Sequence, residues 1–419
     1  MNHAVMSVDH EAQAGQPVVA LVPHINIKAF CDDPRTVQAV QAASVDRRMA
    51  RAHVQIHMGG IAGAVQVFQN ELTPNVIIVE TTGNRETILA TLPQLAQVCG
   101  PDTKVVVIGH INDIVLYREL MRLGVSDYLV APVHQLQLID SIAKLFHDPG
   151  AKPLGRIFAF VGSKGGVGSS TLAHNVGWYL SRQLDTDTVI TDFDLAFGTA
   201  GLNFNQETSQ GIADALGQPD RVDQTLLDRL LTKCGDKLSL LASPSAIDRD
   251  LHVEESSVEV ILNTVRNSVP CVIVDVPNMW APWIKYTLLH ADEVVLTATP
   301  ELASLRNAKN LMDLLKQARP NDAPPRLVMN QVGIPKRPEI PVADFAKALS
   351  VAPALTIAYD AQTFGTAASN GQMLAEVSAK AKAVDAVAAL AQMLLGQEKP
   401  AAKTSKFSLP FAGKLLRKK

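Results

Sequence analysis

The chain has 419 residues, 47% hydrophobic and 19% charged, with a formal net charge of −3 at pH 7. This is the composition of a globular protein of two to three domains, and its balance carries no overall signal for nucleic acid or an anionic surface. No apolar run approaches the ~20 residues that span a bilayer. Cys31, Cys99, Cys234 and Cys271 lack metal-type spacing, the nearest two being 37 apart, which favours buried thiols in a reduced cytoplasmic compartment.

Residues 1–22 read as a loosely ordered lead-in, with His, Asp and Glu through the first fifteen where a signal peptide would be apolar. From 23 to 149 strand and helix patterns alternate. Strands are expected at Ile25–Phe30, Val76–Val79, Lys104–Ile108 and Tyr128–Val130, with a helix from about Arg35 and further helical stretches between. Such alternation predicts a parallel, doubly wound sheet. The stretch resembles a degenerate response-regulator receiver, a flavodoxin-like domain. A receiver accepts phosphate on an aspartate ending its third strand, where this chain has Glu80. The hydroxyl residue expected after the fourth strand falls at Gly109, and the lysine before the fifth strand's proline at Ala131. Asp32 and Asp33 read either as a metal-binding acidic pair or as a helix cap ahead of Pro34. With three working residues replaced, the expectation is a domain that docks partners or helps dimerise and takes no phosphate.

A linker at 150–155 is marked by its turn residues. The second α/β unit, 156–396, opens on the apolar strand Ile157–Val161, followed by Ser163, Lys164, Gly165, Gly166, Val167, Gly168, Ser169, Ser170 and Thr171. Leu172, Val176 and Leu180 then recur at helical spacing. Strand, glycine loop and helix in that order are the setting of a phosphate-binding loop. The glycines let successive N–H groups turn inward, and the helix start adds partial positive charge. Three more strand patterns follow: Val189–Asp194, ending in Asp192-Phe193-Asp194; Cys271–Pro277, carrying Asp275; and Leu327–Asn330. Singly, an aspartate at a strand end is more often a cap or turn residue. Four pieces in this order make a site.

The loop is similar to the variant of the ParA/MinD ATPases, x-K-G-G-x-G-K-[ST]-T. That resemblance implies a mostly parallel sheet with ATP and Mg²⁺ as cofactors. Ser163–Thr171 would hold the phosphates, Asn330 would read the adenine edge, and Ser170, Asp192 and Asp275 would hold the metal. Asp194 would orient the attacking water, and Lys164 would reach across a homodimer interface to the partner's nucleotide. Ser169 stands where the family has its second lysine. Loss of one such cation typically costs ~10²–10³ in rate, so a slowly hydrolysing switch is expected.

A degenerate receiver joined to this loop resembles the CpaE/TadZ family of Flp (tight-adherence) pilus assembly ATPases. The resemblance continues through Arg337–Val342 and Phe364–Met373. It implies a cytoplasmic homodimer that positions pilus assembly and secretion proteins at a polar focus on the inner membrane. The alternative is a partition or positioning ATPase acting on DNA or another cargo. Within the tail, 397–419, the stretch Lys399–Lys419 carries seven basic residues and no acid. Taking those charges from −3 leaves −10 on the remainder, which argues against nucleic acid. Phe407, Leu409, Phe411, Leu415 and Leu416 interleave with the bases, so the tail reads equally as a weak anionic-membrane contact or as a solvated end.

Overall fold

Runs of Val, Ile and Phe form the interior strands of two sheets in the computed structural model, which describes residues 21–146, 154–243 and 252–397. Residues 1–20 of the lead-in, 150–153 of the linker and the tail beyond Gln397 lie outside the described residues.

The first sheet contains β1 (Ile25–Cys31), β2 (Ala52–Met58), β3 (Val76–Thr81), β4 (Lys104–Gly109) and β5 (Asp127–Val130). Their order is β2-β1-β3-β4-β5 and every pair is parallel, the doubly wound flavodoxin-like order. Helices Pro34–Ser44 and Gln135–Leu145 cover one face. Helices Gly60–Phe68, Arg85–Val98 and Ile114–Arg122 cover the other. β2 had no counterpart among the expected strands. It is an edge strand in which no residue is fully buried, so its Ala-His-Val-Gln-Ile-His-Met run lacks the apolar density of β3, which is buried throughout.

The second sheet contains β6 (Arg156–Gly162), β7 (Thr188–Asp192), β8 (Thr232–Gly235), β9 (Leu238–Leu241), β10 (Cys271–Val276), β11 (Glu293–Ala298), β12 (Arg326–Val332) and β13 (Leu355–Ala358). The order is β13-β12-β11-β6-β10-β7-β9-β8, with only β8 antiparallel to its neighbour. From β6 the chain first builds toward β7 and later toward β11 on the opposite side. This reversal leaves a crevice at the carboxyl end of β6, where open α/β sheets bind ligands.

The two sheets meet through charge. Arg47 and Arg48 beside the first sheet both reach Asp322 beside the second, Arg47 at 2.6 Å. Arg319 adds a third guanidinium at 2.8 Å. Burial alone would raise Asp322, but the three arginines outweigh it and hold the carboxyl at about 2. Asn321 donates to Asp46 at 2.8 Å and Gln135 to Asn321 at 2.6 Å. Among the described residues, no helix is long and apolar enough to cross a membrane.

Candidate functional site

The loop 163–168 leaves β6 and runs into the helix Ser169–Gln183. Gly166 and Gly168 have φ of +78° and +89°, left-handed backbone that suits glycine. A Cβ on Gly168 would stand 2.5 Å from Asn330 Nδ2, so only glycine lets the loop lie this close to β12. Side-chain amides hold the loop by its carbonyls: Asn278 donates to Gly162, Asn307 to Ser163, Gln331 to Gly166 and Asn330 to Val167, all between 2.8 and 3.0 Å. Ser163 gives its N–H to Thr297 O at 2.8 Å; with the carbonyls engaged, the N–H groups of residues 164–168 remain for an anion. The cleft beside it has a volume of about 640 Å³ and is lined by residues 164–171, Asp194, Asn330 and Tyr359 among others.

Two cationic positions differ. Lys164 Nζ lies 3.3 Å from Glu301, whose second oxygen accepts from Arg337 at 3.0 Å. The signature lysine therefore rests on an acid at the cleft rim. Ser169 brings no charge, and among the described residues its buried hydroxyl finds no hydrogen-bond partner. Asn330 lines the cleft, yet one of its N–H groups and its oxygen are used inside the protein, by Val167 and by the N–H of Gln331.

Behind the loop stand the acids. Parallel pairing sets Asp275 of β10 opposite Asp192 of β7, and both are buried. Ser170 donates to Asp275 Oδ1 at 3.1 Å. Asp192 accepts from the N–H groups of Asp194 and Ala200 at 3.0 and 3.1 Å. Burial first, and the charge of Asp275 second, push Asp192 up to about 7, against the pull of His174 and of those two donors. Two buried carboxylates beside a hydroxyl form an oxygen donor set of the kind Mg²⁺ takes, so these residues fit the metal that the family resemblance implied. Asp194 borders the cleft with one carboxylate oxygen accepting from Phe197 N–H at 3.0 Å.

Sequence reasoning missed His174, which the helix Ser169–Gln183 carries one turn beyond Ser170 on the same face. Its one available signal was its place between Leu172 and Val176 on the helix that follows the glycine loop, one turn from the Ser170 hydroxyl. Glu301, Asn278 and Asn307 were also missed, because nothing local marks them as neighbours of the loop.

The corresponding place in the first sheet is filled. Glu80, at the carboxyl end of β3, is fully buried. It accepts from Asp32 N–H at 2.7 Å, Asp33 N–H at 2.8 Å and the Thr36 hydroxyl at 2.6 Å, and His110 lies 3.3 Å away. Asp33 caps the helix Pro34–Ser44 and pairs with Arg35. A Cβ on Gly109 would fall 2.3 Å from the Tyr128 hydroxyl, which donates to Ile111 O. The space a hydroxyl side chain would need holds a tyrosine.

No profile of a known protein family matches the chain. The pilus assembly protein CpaE from Caulobacter crescentus is 47% identical over 31% of this chain and 98% of its own, with a TM-score of 0.30, and matches the receiver-like part. A ParA family ATPase from Chlorobium tepidum is 26% identical over 57% of this chain and 99% of its own, with a TM-score of 0.52. The septum site-determining protein MinD of Helicobacter pylori is 24% identical over 161 residues, 38% of this chain and 58% of its own length.

Proposed function

The chain belongs to the CpaE family of pilus assembly proteins within the ParA/MinD superfamily, and we propose that it is a nucleotide-gated dimeric factor that positions pilus assembly machinery at the inner membrane. One observation carries this reading: an open glycine-loop cleft in which Lys164 is retained on Glu301 while Ser169 replaces the second cation. Such a site binds a nucleoside triphosphate well and handles the transferring phosphoryl group poorly.

In this reading, Ser163–Thr171 cradle the phosphates with backbone N–H groups and the start of the helix Ser169–Gln183. Ser170, Asp192 and Asp275 hold Mg²⁺, which when bound neutralises phosphate charge. Asp194 accepts a hydrogen bond from the attacking water and aims it. Asn330 keeps the loop seated and presents its remaining amide N–H to the base. Lys164, exchanged from Glu301, reaches a nucleotide in a second copy of the chain. Exposed Phe197 and Trp280 sit in loops and exposed Leu302 opens the helix Leu302–Ala318; each adjoins cleft-lining or rim residues, and apolar surface there supports a partner that covers it. Domains at 23–149 and 156–396, joined by 150–155, divide the work between docking and nucleotide. The basic tail adds weak membrane attraction that pairing multiplies.

Sedimentation with and without ATP–Mg²⁺ tests the gate. Wild type is expected to dimerise only with ATP–Mg²⁺, and Lys164→Ala to stay monomeric while still binding nucleotide. A fluorescent fusion is expected to form a focus that Lys164→Ala loses and that removal of 399–419 weakens. Uniform nucleoid staining of wild type would overturn this reading in favour of a partition ATPase.

A further inference from the structure

His174 is fully buried, and among the described residues its Nε2 forms no hydrogen bond. A polar ring atom in that position costs free energy unless something engages it. Its nearest acid is Asp275, whose Oδ2 lies 3.3 Å from Nε2, while Oδ1 of the same carboxylate accepts from Ser170. Asp275 thus turns one oxygen to the nucleotide side and the other inward. Asp192 completes the inner group, because β7 and β10 pair these two residues in register. One ligand atom each from His174, Asp192 and Asp275 lies within 4.8 Å of the others, and all three residues are buried.

We propose that His174, Asp192 and Asp275 bind a divalent first-row transition-metal ion. Two carboxylates supply the compensating charge. The imidazole shifts preference away from Mg²⁺, which favours oxygen ligands, toward ions that accept nitrogen. An orienting partner is in place: the Asn203 amide, set here with its nitrogen inward, lies 2.8 Å from His174 Nδ1. With its oxygen turned to that nitrogen, the amide accepts the Nδ1 proton, and the Nε2 lone pair faces the carboxylates. Partners of this kind fix the tautomer of metal-binding histidines, and the two ends of an amide are assigned from the hydrogen-bond network. Phe204 packs beside the ring, with centroids 5.9 Å apart. The proposal shares Asp192 and Asp275 with the nucleotide reading but requires no nucleotide.

The test uses the full chain, nucleotide-free, titrated with Mn²⁺ and read by pulsed electron paramagnetic resonance. The expected result is one Mn²⁺ per chain with ¹⁴N coupling from a directly bound imidazole, replaced by ¹⁵N coupling when the protein is made with ¹⁵N-histidine. Ser170→Ala is expected to keep that coupling and His174→Gln to lose it, with Mn²⁺ affinity falling at least about tenfold and Mg²⁺ affinity changing less. Should His174→Gln not fold, the near-isosteric Asp192→Asn is expected to abolish the same coupling. Mn²⁺ that binds only with nucleotide, or without imidazole nitrogen coupling in wild type, would overturn the proposal and leave the nucleotide reading standing. Coupling in a chain that fails to bind ATP would sustain it while the nucleotide reading fell.

Discussion

Both sheets of this molecule place acids at the carboxyl ends of parallel strands, yet the two places differ in what is left over. At the end of β3, Glu80 receives three protein hydrogen bonds, and Tyr128 fills the space beside Gly109. At the end of β6, side-chain amides engage the loop carbonyls, while among the described residues neither Ser169 Oγ nor His174 Nε2, which stands 3.3 Å from the buried Asp275 carboxylate, forms a hydrogen bond. A protein that satisfies every polar group at a site has built a structural joint, since unmet hydrogen-bonding capacity is what a ligand completes. By this measure the first site has become architecture and the second is prepared for an anion and a cation.

The sharpest way to break this comparison is to supply the charge that the second site lacks. Ser169→Lys is expected to raise ATP hydrolysis by ~10²–10³-fold, measured as phosphate release at saturating ATP–Mg²⁺. Wild type already as fast as the variant would mean that the missing cation is immaterial. At the first site the expected effect lies on stability instead. Glu80→Ala strands the N–H groups of Asp32 and Asp33 and the Thr36 hydroxyl, at a cost of about 3 kcal/mol. Urea unfolding reads it, and an unchanged midpoint would show that Glu80 is no joint.

The contact between the two regions has its own signature. Asp322 is held at about 2 by Arg47, Arg319 and Arg48 despite its burial. A depressed carboxyl stabilises fully above its unfolded value of about 3.9 and loses that contribution as pH falls toward 2, here about 2 kcal/mol. Acid titration of wild type and Asp322→Asn is expected to give curves that differ above pH 4 and converge near pH 2. Curves that stay parallel throughout would remove Asp322 from the account. The smallest expected effect is none at all: acetyl phosphate is expected to leave every acid of residues 23–149 unlabelled. A labile phosphate found there by mass spectrometry would reopen the first site as a receiver.

What was legible in the chain follows from contiguity. Strand, glycine loop and helix from Ile157 to Leu180 are adjacent in sequence, so spacing alone predicted a phosphate-binding type of loop, and the family resemblance marked Ser169 as standing where a lysine is usual. Likewise, dense apolar runs marked β1, β3, β4, β5, β6, β7, β10 and β12, because strands buried on both faces need few polar residues. The half-exposed β2 had no such density. Replacement of the receiver's working residues by Glu80, Gly109 and Ala131 could be read directly. Their outcome could not: that Glu80 is saturated by residues more than 40 positions away, or that Tyr128 occupies the space beside Gly109, depends on which strands lie side by side.

The same holds for His174 beside Asp275 and for Arg47 against Asp322, 275 residues apart. By itself the sequence determined the local elements, the loop and the family resemblance, because periodicity and glycine placement act within one turn or one strand. Only the tertiary structure decided which polar groups are satisfied and which remain available. Hydrogen-bond and ion-pair partners are chosen by sheet order and register, and those depend on contacts between segments that no single stretch of chain encodes.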